Sequence, residues 1–224
     1  MKILDSKTAE LKEKLFRMAA LVESMLTGAM ESLVRRNPAR ARQVIEADED
    51  RVNRLELEIE NDAIAIIALH QPEASDLRML VMVTKVNADL ERIGDHAVNI
   101  AEAAVFLADR PQVKPLIDLP RMSEQAVGML ADALDAFGRG DVELARAVCE
   151  RDNLVDALKD QVNRELVTYM ISEPATIDRA LKLMMVSLNL ERVADLATNI
   201  AEDAIYSAEG RVIKHHAGEN GPAA

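Results

Sequence analysis

The chain has 224 residues, a formal net charge of -12 and a pI of about 4.9. This charge argues against the phosphate backbone of a nucleic acid or an anionic membrane surface as the main partner. Apolar residues make up 49% of the chain and aromatic residues only 2%, so aliphatic side chains must fill the core, as suits long packed helices. The single cysteine, Cys149, can form no internal disulfide, and no apolar run approaches the ~20 residues of a membrane-spanning helix. We therefore expect a cytoplasmic protein without direct membrane insertion.

Apolar residues recur every three or four positions between breaks that contain proline, a spacing typical of helices. One such stripe runs through Leu11, Leu15, Met18 and Val22. Six helices are predicted, near residues 5–35, 38–70, 73–109, 120–138, 141–172 and 174–209. The Asn37-Pro38 pair predicts an N-cap followed by proline at the first helical position.

An internal repeat fixes the predicted architecture. The segment 90–102 returns one hundred residues later as 190–202, with nine of thirteen positions identical. Blocks that begin at Asn37 and Glu49 recur in the same order at Asp141 and Asp152. We predict an all-α fold of two tandem, pseudo-symmetric three-helix bundles of long antiparallel helices. The expected division is a first repeat over 1–110, a proline-rich linker over 111–119, a second repeat over 120–209 and a disordered tail over 210–224.

Acidic residues lie on one face of each repeated helix, beside the apolar stripe that faces the core. Antiparallel packing would bring the start of the preceding helix, with its own acidic row, against this face. The candidate metal ligands are Glu91, Asp95, Asn99, Glu102, Glu49 and Asn53 in the first repeat, and Glu191, Asp195, Asn199, Glu202, Asp152 and Asp156 in the second.

Carboxylates crowded beside a core repel one another unless a cation lies among them. Ligands that are all oxygen favour a hard divalent ion such as Mg²⁺ or Mn²⁺, with iron or zinc as further options. The alternative is that each stripe is a solvated face, in which Arg92 pairs with Asp95 and Arg192 with Asp195. The chain has no Glu-x-x-His pair, which argues against a ferritin-like di-iron site.

The doubled segment at 90–102 and 190–202 resembles the signature of the PhoU family, the phosphate-transport accessory regulators. The stretches 45–48 and 71–78 resemble that family as well, and the match runs from about residue 5 to residue 208. The resemblance implies two three-helix bundles, a cytoplasmic and often dimeric protein, and metal ions on the motifs Glu91–Asp95 and Glu191–Asp195. It also implies negative regulation of phosphate uptake and of the phosphate-starvation response, by linking the ATPase subunit of the phosphate ABC transporter to a sensor histidine kinase.

Some positions depart from the repeated pattern. Glu49 and Asn53 stand where the second copy has Asp152 and Asp156, and Thr176 stands where the second copy could repeat an aspartate. The two sites are therefore expected to differ in affinity or in the ion they take.

These observations together predict a metal-binding adaptor rather than an enzyme. The partners that the resemblance implies are the transporter ATPase and the sensor histidine kinase, with another copy of the chain in a homodimer. A carboxylate-bridged metalloenzyme that acts on a phosphate compound is one alternative. A purely structural helical spacer is the other.

Overall fold

The computed structural model describes residues 2–209, and every regular element in that range is a helix. The elements are α1 (Lys2–Arg35), α2 (Pro38–Gln43), a π-helical turn (Val44–Asp48), α3 (Glu49–His70), α4 (Ala74–Ala108), α5 (Asp118–Arg139), α6 (Val142–Ser172), a 3₁₀ turn (Pro174–Thr176) and α7 (Ile177–Glu209). The predicted tail over 210–224 lies outside the described residues.

Two three-helix bundles form the fold, as predicted. The helices α1, α3 and α4 pack together in the first bundle, and α5, α6 and α7 pack together in the second. The stripes that the sequence predicts are the core: Leu15 and Met18 of α1 and Leu90 and Ile100 of α4 are fully buried. Each such side chain contributes roughly 1.5–3 kcal/mol by leaving water, so burial of these stripes determines which face every helix turns inward.

The bundles also pack against each other, because α4 contacts α7 and α1 contacts α5. Several polar contacts cross the seam between α4 and α7. Lys85 Nζ lies 3.4 Å from Asp203 Oδ1, and His96 Nδ1 lies 2.8 Å from Asn189 Oδ1. Across residues 2–209, the helices are each too short or too polar to traverse a bilayer.

Helix ends follow the expected chemistry, with small shifts. The Asn37 side chain accepts hydrogen bonds from the backbone N–H groups of Ala39 and Arg40, which is the predicted N-cap. The connector between the bundles is shifted by two residues rather than changed in length, since α4 ends at Ala108 and α5 begins at Asp118 instead of at 120. Arg179 Nη1 donates to the backbone oxygen of Pro111 at 2.7 Å, so the connector is attached to the second bundle.

The predicted single helix over 38–70 is interrupted by the π-turn at Val44–Asp48. Its cause is one extra residue: Glu49 lies twelve positions after Asn37, whereas the equivalent Asp152 lies eleven positions after Asp141. A π-turn accommodates such an insertion by closing a wider ring. The α6 helix, which has no extra residue, is regular throughout.

The π-turn is held by a partly buried ion pair. The Asp48 side chain is only 5% exposed, and Arg40 Nη1 lies 3.3 Å from its Oδ2. Arg40 Nη2 also donates to the backbone oxygen of Ser24 on α1 at 3.2 Å. Gly28 of α1 leaves room for this guanidinium, because a Cβ there would lie 2.4 Å from Arg40 Nη2.

We expect Arg40→Met to lower the free energy of unfolding by about 1–3 kcal/mol, because the buried Asp48 carboxylate would keep only the exposed Arg51, at 3.4 Å, as an arginine partner. Arg42→Met, at an exposed position on the same short helix, should change it by less than about 0.5 kcal/mol. Chemical denaturation followed by circular dichroism measures both. Equal effects of the two substitutions would contradict this role of Arg40.

Candidate functional site

A first acidic cluster lies in the seam between α3 and α4. Because these helices are antiparallel, the start of α3 lies beside the second half of α4, where the repeated segment ends. Burial raises the pKa of Glu49, and the nearby carboxylates of Asp95 and Glu102 raise it further. The first acidic cluster consists of Glu49, Glu56, Glu91, Asp95 and Glu102.

Glu91 of this cluster has carboxylate neighbours on both helices of the seam. Burial raises the pKa of Glu91, and Asp95 on its own helix and Glu56 on α3 add to the effect. Arg92 is the cation that opposes it. Negative charge therefore accumulates here on both sides of the helix seam.

A second acidic cluster occupies the equivalent seam between α6 and α7. Burial raises the pKa of Asp152 and of Asp195, and each has further carboxylates nearby that act in the same direction. The second acidic cluster consists of Asp152, Asp156, Glu191 and Asp195. Glu202 lies farther along α7, beside Cys149.

Lys159 of α6 is a member of the second seam that the sequence analysis missed. Its Nζ lies 3.0 Å from Glu191 Oε1 and 3.1 Å from Asp156 Oδ1. The sequence could have predicted this position, because Lys159 follows Asp156 by three residues and so lies on the same helix face. When Lys159 is left out, the row of aspartates on α6 has a larger apparent negative charge than the structure shows.

The solvated-face alternative is found in one repeat only. Arg192 Nη1 pairs with Asp195 Oδ2 at 2.9 Å, as that alternative predicts. In the first repeat Arg92 lies instead toward Asp89, with 3.7 Å between Nη1 and Oδ1. The predicted pairing of Arg92 with Asp95 is therefore wrong, because the guanidinium extends toward the preceding turn.

The three amide candidates have different surroundings. The Asn99 Nδ2 group donates to Asn189 Oδ1 at 3.2 Å, across the seam between the bundles. Asn53 is exposed and Asn199 is partly buried. Asn99 therefore faces α7 rather than the first acidic cluster.

The donor chemistry of both clusters fits a hard divalent cation. All donors are carboxylate oxygens, and burial together with neighbouring carboxylates raises the pKa of Glu91 and of Asp152. Glu191 Oε2 is buried without a hydrogen bond, at 3.5 Å from Arg192 Nε. Among residues 2–209, as their side chains are placed, no three Asp, Glu, His or Cys residues form a group that could hold a metal ion. A bound ion would therefore require these side chains to rotate inward.

Neither a reactive nucleophile nor a groove is found at the acidic clusters among residues 2–209. Burial raises the pKa of the Cys149 thiol to about 11, so it is protonated at neutral pH and a poor nucleophile. An open groove of about 520 Å³ lies between α1 and α5, and its lining includes Met30, Val34 and Val127 but no member of either acidic cluster.

The geometry described above has close counterparts among known proteins. The PhoU domain matches residues 15–104 and again residues 119–204. The chain is 45% identical over 213 residues to the phosphate-specific transport system accessory protein PhoU homolog of Aquifex aeolicus, covering 95% of this chain and 96% of that one. It is 37% identical over 207 residues to the homolog from Pseudomonas aeruginosa, covering 92% and 85% of the two chains.

Two solved structures share the whole fold. The crystal structure of PhoU from Pseudomonas aeruginosa superposes with a TM-score of 0.89 at 36% identity, covering 92% of this chain and 99% of that chain. The phosphate transport system regulatory protein PhoU from Streptococcus pneumoniae superposes with a TM-score of 0.86 at 26% identity, covering 93% and 98%.

The raised pKa of Asp152 predicts the direction in which the free energy of unfolding changes with pH. The folded protein holds this proton to a higher pH than the unfolded chain does, so stability is lost as the pH rises from the usual aspartate pKa through the raised value. We expect Asp152→Asn to increase the free energy of unfolding of the metal-free protein at pH 7 by about 0.5 kcal/mol. The gain should vanish below about pH 4.

Asp160→Asn is the matched control, because Asp160 is exposed on the same helix and should leave stability unchanged at both pH values. Denaturant titrations at pH 4 and pH 7 measure the difference. A destabilised Asp152→Asn protein at pH 7 would show that this carboxylate is satisfied rather than repelled.

Proposed function

The chain belongs to the PhoU family, and we propose that it is a regulatory accessory protein of a phosphate-specific transport system. The observation that carries the proposal is similarity over nearly the whole chain, 95% of it in one case, to relatives named as accessory proteins of such a system. The relatives are named as accessory or regulatory proteins rather than as enzymes, which supports a role without catalysis.

The proposed partners are the ATPase subunit of the phosphate ABC transporter and a sensor histidine kinase, with a homodimer as the working form. In phosphate-replete cells the protein would bind both and hold down transport and starvation signalling. Such partners present their regulatory surfaces to the cytoplasm, which is the proposed location of this chain. The acidic balance of the chain, with a formal charge of -12, favours basic protein surfaces as docking partners.

Metal binding is the proposed structural part of this role. Glu49, Glu91, Asp95 and Glu102 would hold an ion in the first seam, and the carboxylates of the second acidic cluster would hold one in the second. Mg²⁺ and Mn²⁺ suit these ligands best, with iron or zinc as alternatives. A bound ion would supply positive charge between carboxylates that otherwise repel each other across the seam.

The chain's own residues explain how that charge would matter to docking. Without a cation, Glu49 of α3 and Asp95 of α4 disfavour close approach of their helices. Neutralising them relieves this repulsion and fixes the relative position of α3 and α4. The outer surface of α3, which includes the exposed Leu57 and Ile64, would then be presented in one defined arrangement.

We expect Mn²⁺ to raise the Tm of the chelator-treated protein, with stabilisation of about 2.7 kcal/mol at a hundredfold excess over the dissociation constant. Combining Glu91→Gln, Asp95→Asn, Glu191→Gln and Asp195→Asn should abolish the effect. Differential scanning fluorimetry and elemental analysis measure it, with Asp160→Asn as the control. If the combined variant retains both bound metal and the Tm increase, the metal lies elsewhere.

The regulatory role predicts a specific interaction. A tagged chain isolated from phosphate-replete cells should recover the phosphate transporter ATPase or a sensor histidine kinase, as identified by mass spectrometry. An equally acidic helical protein with the same tag should recover neither. Recovery of neither partner by the tagged chain would favour the spacer alternative, and a metal-dependent turnover lost in Asp195→Ala would favour the metalloenzyme.

A further inference from the structure

The two acidic clusters carry opposite charges at one equivalent position. Glu56 lies seven residues after Glu49, and Lys159 lies seven residues after Asp152, the counterpart of Glu49 in the second repeat. A spacing of seven is two helical turns, so both side chains return to the face that carries the cluster. The duplication therefore places a carboxylate in one seam where it places an ammonium group in the other.

Lys159 is well anchored where it lies. Its side chain is 20% exposed, and the Glu191 side chain that it contacts is 12% exposed. Its Nζ group bridges α6 and α7 by hydrogen bonds to Asp156 and Glu191, at 3.1 and 3.0 Å. The charge interaction between Lys159 and Glu191 is therefore less screened by water than a surface pair would be.

Glu56 has the opposite effect on the first acidic cluster. It is partly buried on α3 and raises the pKa of Glu91 on α4. Each cluster also has an arginine at the same repeat position, so the formal charge there is equal, but Arg192 pairs with Asp195 at 2.9 Å whereas Arg92 extends toward Asp89. The difference in charge between the seams comes from the pair Asn53 and Glu56 against the pair Asp156 and Lys159.

We propose that Lys159 is a built-in counter-ion that takes the place of a metal ion in the second acidic cluster, so that divalent cations load the first cluster preferentially. This inference rests on the proposed metal binding. A divalent cation entering the second seam meets a fixed ammonium group and must displace it from Glu191 and Asp156. A cation entering the first seam meets Glu56 instead, which adds to the attraction.

Charge variants test the proposal with Mn²⁺ as the probe. Asp195→Asn weakens the second cluster, so binding to this variant reports on the first cluster alone. Asp95→Asn weakens the first cluster, so binding to it reports on the second cluster alone. In these backgrounds we expect the first cluster to bind Mn²⁺ about tenfold more tightly than the second, or better, because unit charges ~4 Å apart interact strongly in a partly buried site. Isothermal titration calorimetry and electron paramagnetic resonance of free Mn²⁺ measure the two affinities.

Lys159→Met should strengthen Mn²⁺ binding by the second cluster about tenfold, and Glu56→Lys should weaken binding by the first cluster to a similar extent. The double variant Glu56→Lys with Lys159→Glu should reverse the order of loading. Lys7→Met, which removes an exposed lysine paired with Glu10 on α1, is the control and should change neither affinity.

A metal-free readout accompanies the titrations. Lys159→Met should lower the Tm of the chelator-treated protein by several degrees, and adding Glu191→Gln should restore it by removing the carboxylate that has lost its lysine partner. Equal affinities of the two clusters in the parent backgrounds, or no change in the second cluster on Lys159→Met, would overturn the preference while leaving metal binding intact. Absence of Mn²⁺ binding in every variant would overturn the proposed metal function and the preference together.

Discussion

The structure depends on one constraint: the apolar stripes of α4 and α7 can be buried only if the acidic residues next to them enter the seams with α3 and α6. Leu90 and Ile100 are completely buried, and Glu91 follows directly after the first of them. Hydrophobic burial fixes the rotation of the helix and so places the neighbouring carboxylates along the seam, with Glu91 partly buried and Asp95 and Glu102 exposed at its edge. Their crowding is therefore a consequence of packing, and it gives each seam a reason to attract a cation.

Duplication makes the comparison of the two seams informative. The same fold places side chains at equivalent positions in both repeats. A difference in charge at one such position can therefore be compared directly between the two seams. The second seam contains Lys159 paired with Glu191, while the first contains Glu56 near Glu91. One seam is thus partly neutralised by its own residues, whereas the other has a greater need for an external cation.

Much of the fold could be predicted from sequence, because periodicity and repetition are properties of the chain itself. The six helices and the two bundles follow from apolar spacing and from the match of 90–102 to 190–202, and the N-cap at Asn37 follows from the proline after it. Side-chain partners were harder: Arg92 extends toward Asp89, and Asn99 donates to Asn189 of the other bundle. Such choices depend on rotamers and on the contact between bundles, which local sequence does not encode.

The π-turn at Val44–Asp48 bears on how the two repeats diverged. A residue inserted into a regular helix rotates everything beyond it by 100°, which would turn the buried face of α3 outward. Here the wider ring absorbs the extra residue within one turn, and Val52 and Ile59 remain buried. One extra residue ahead of α3 is thereby accommodated without turning the buried face of this helix outward. The halves of this protein could consequently drift in length while preserving the register of their acidic seams.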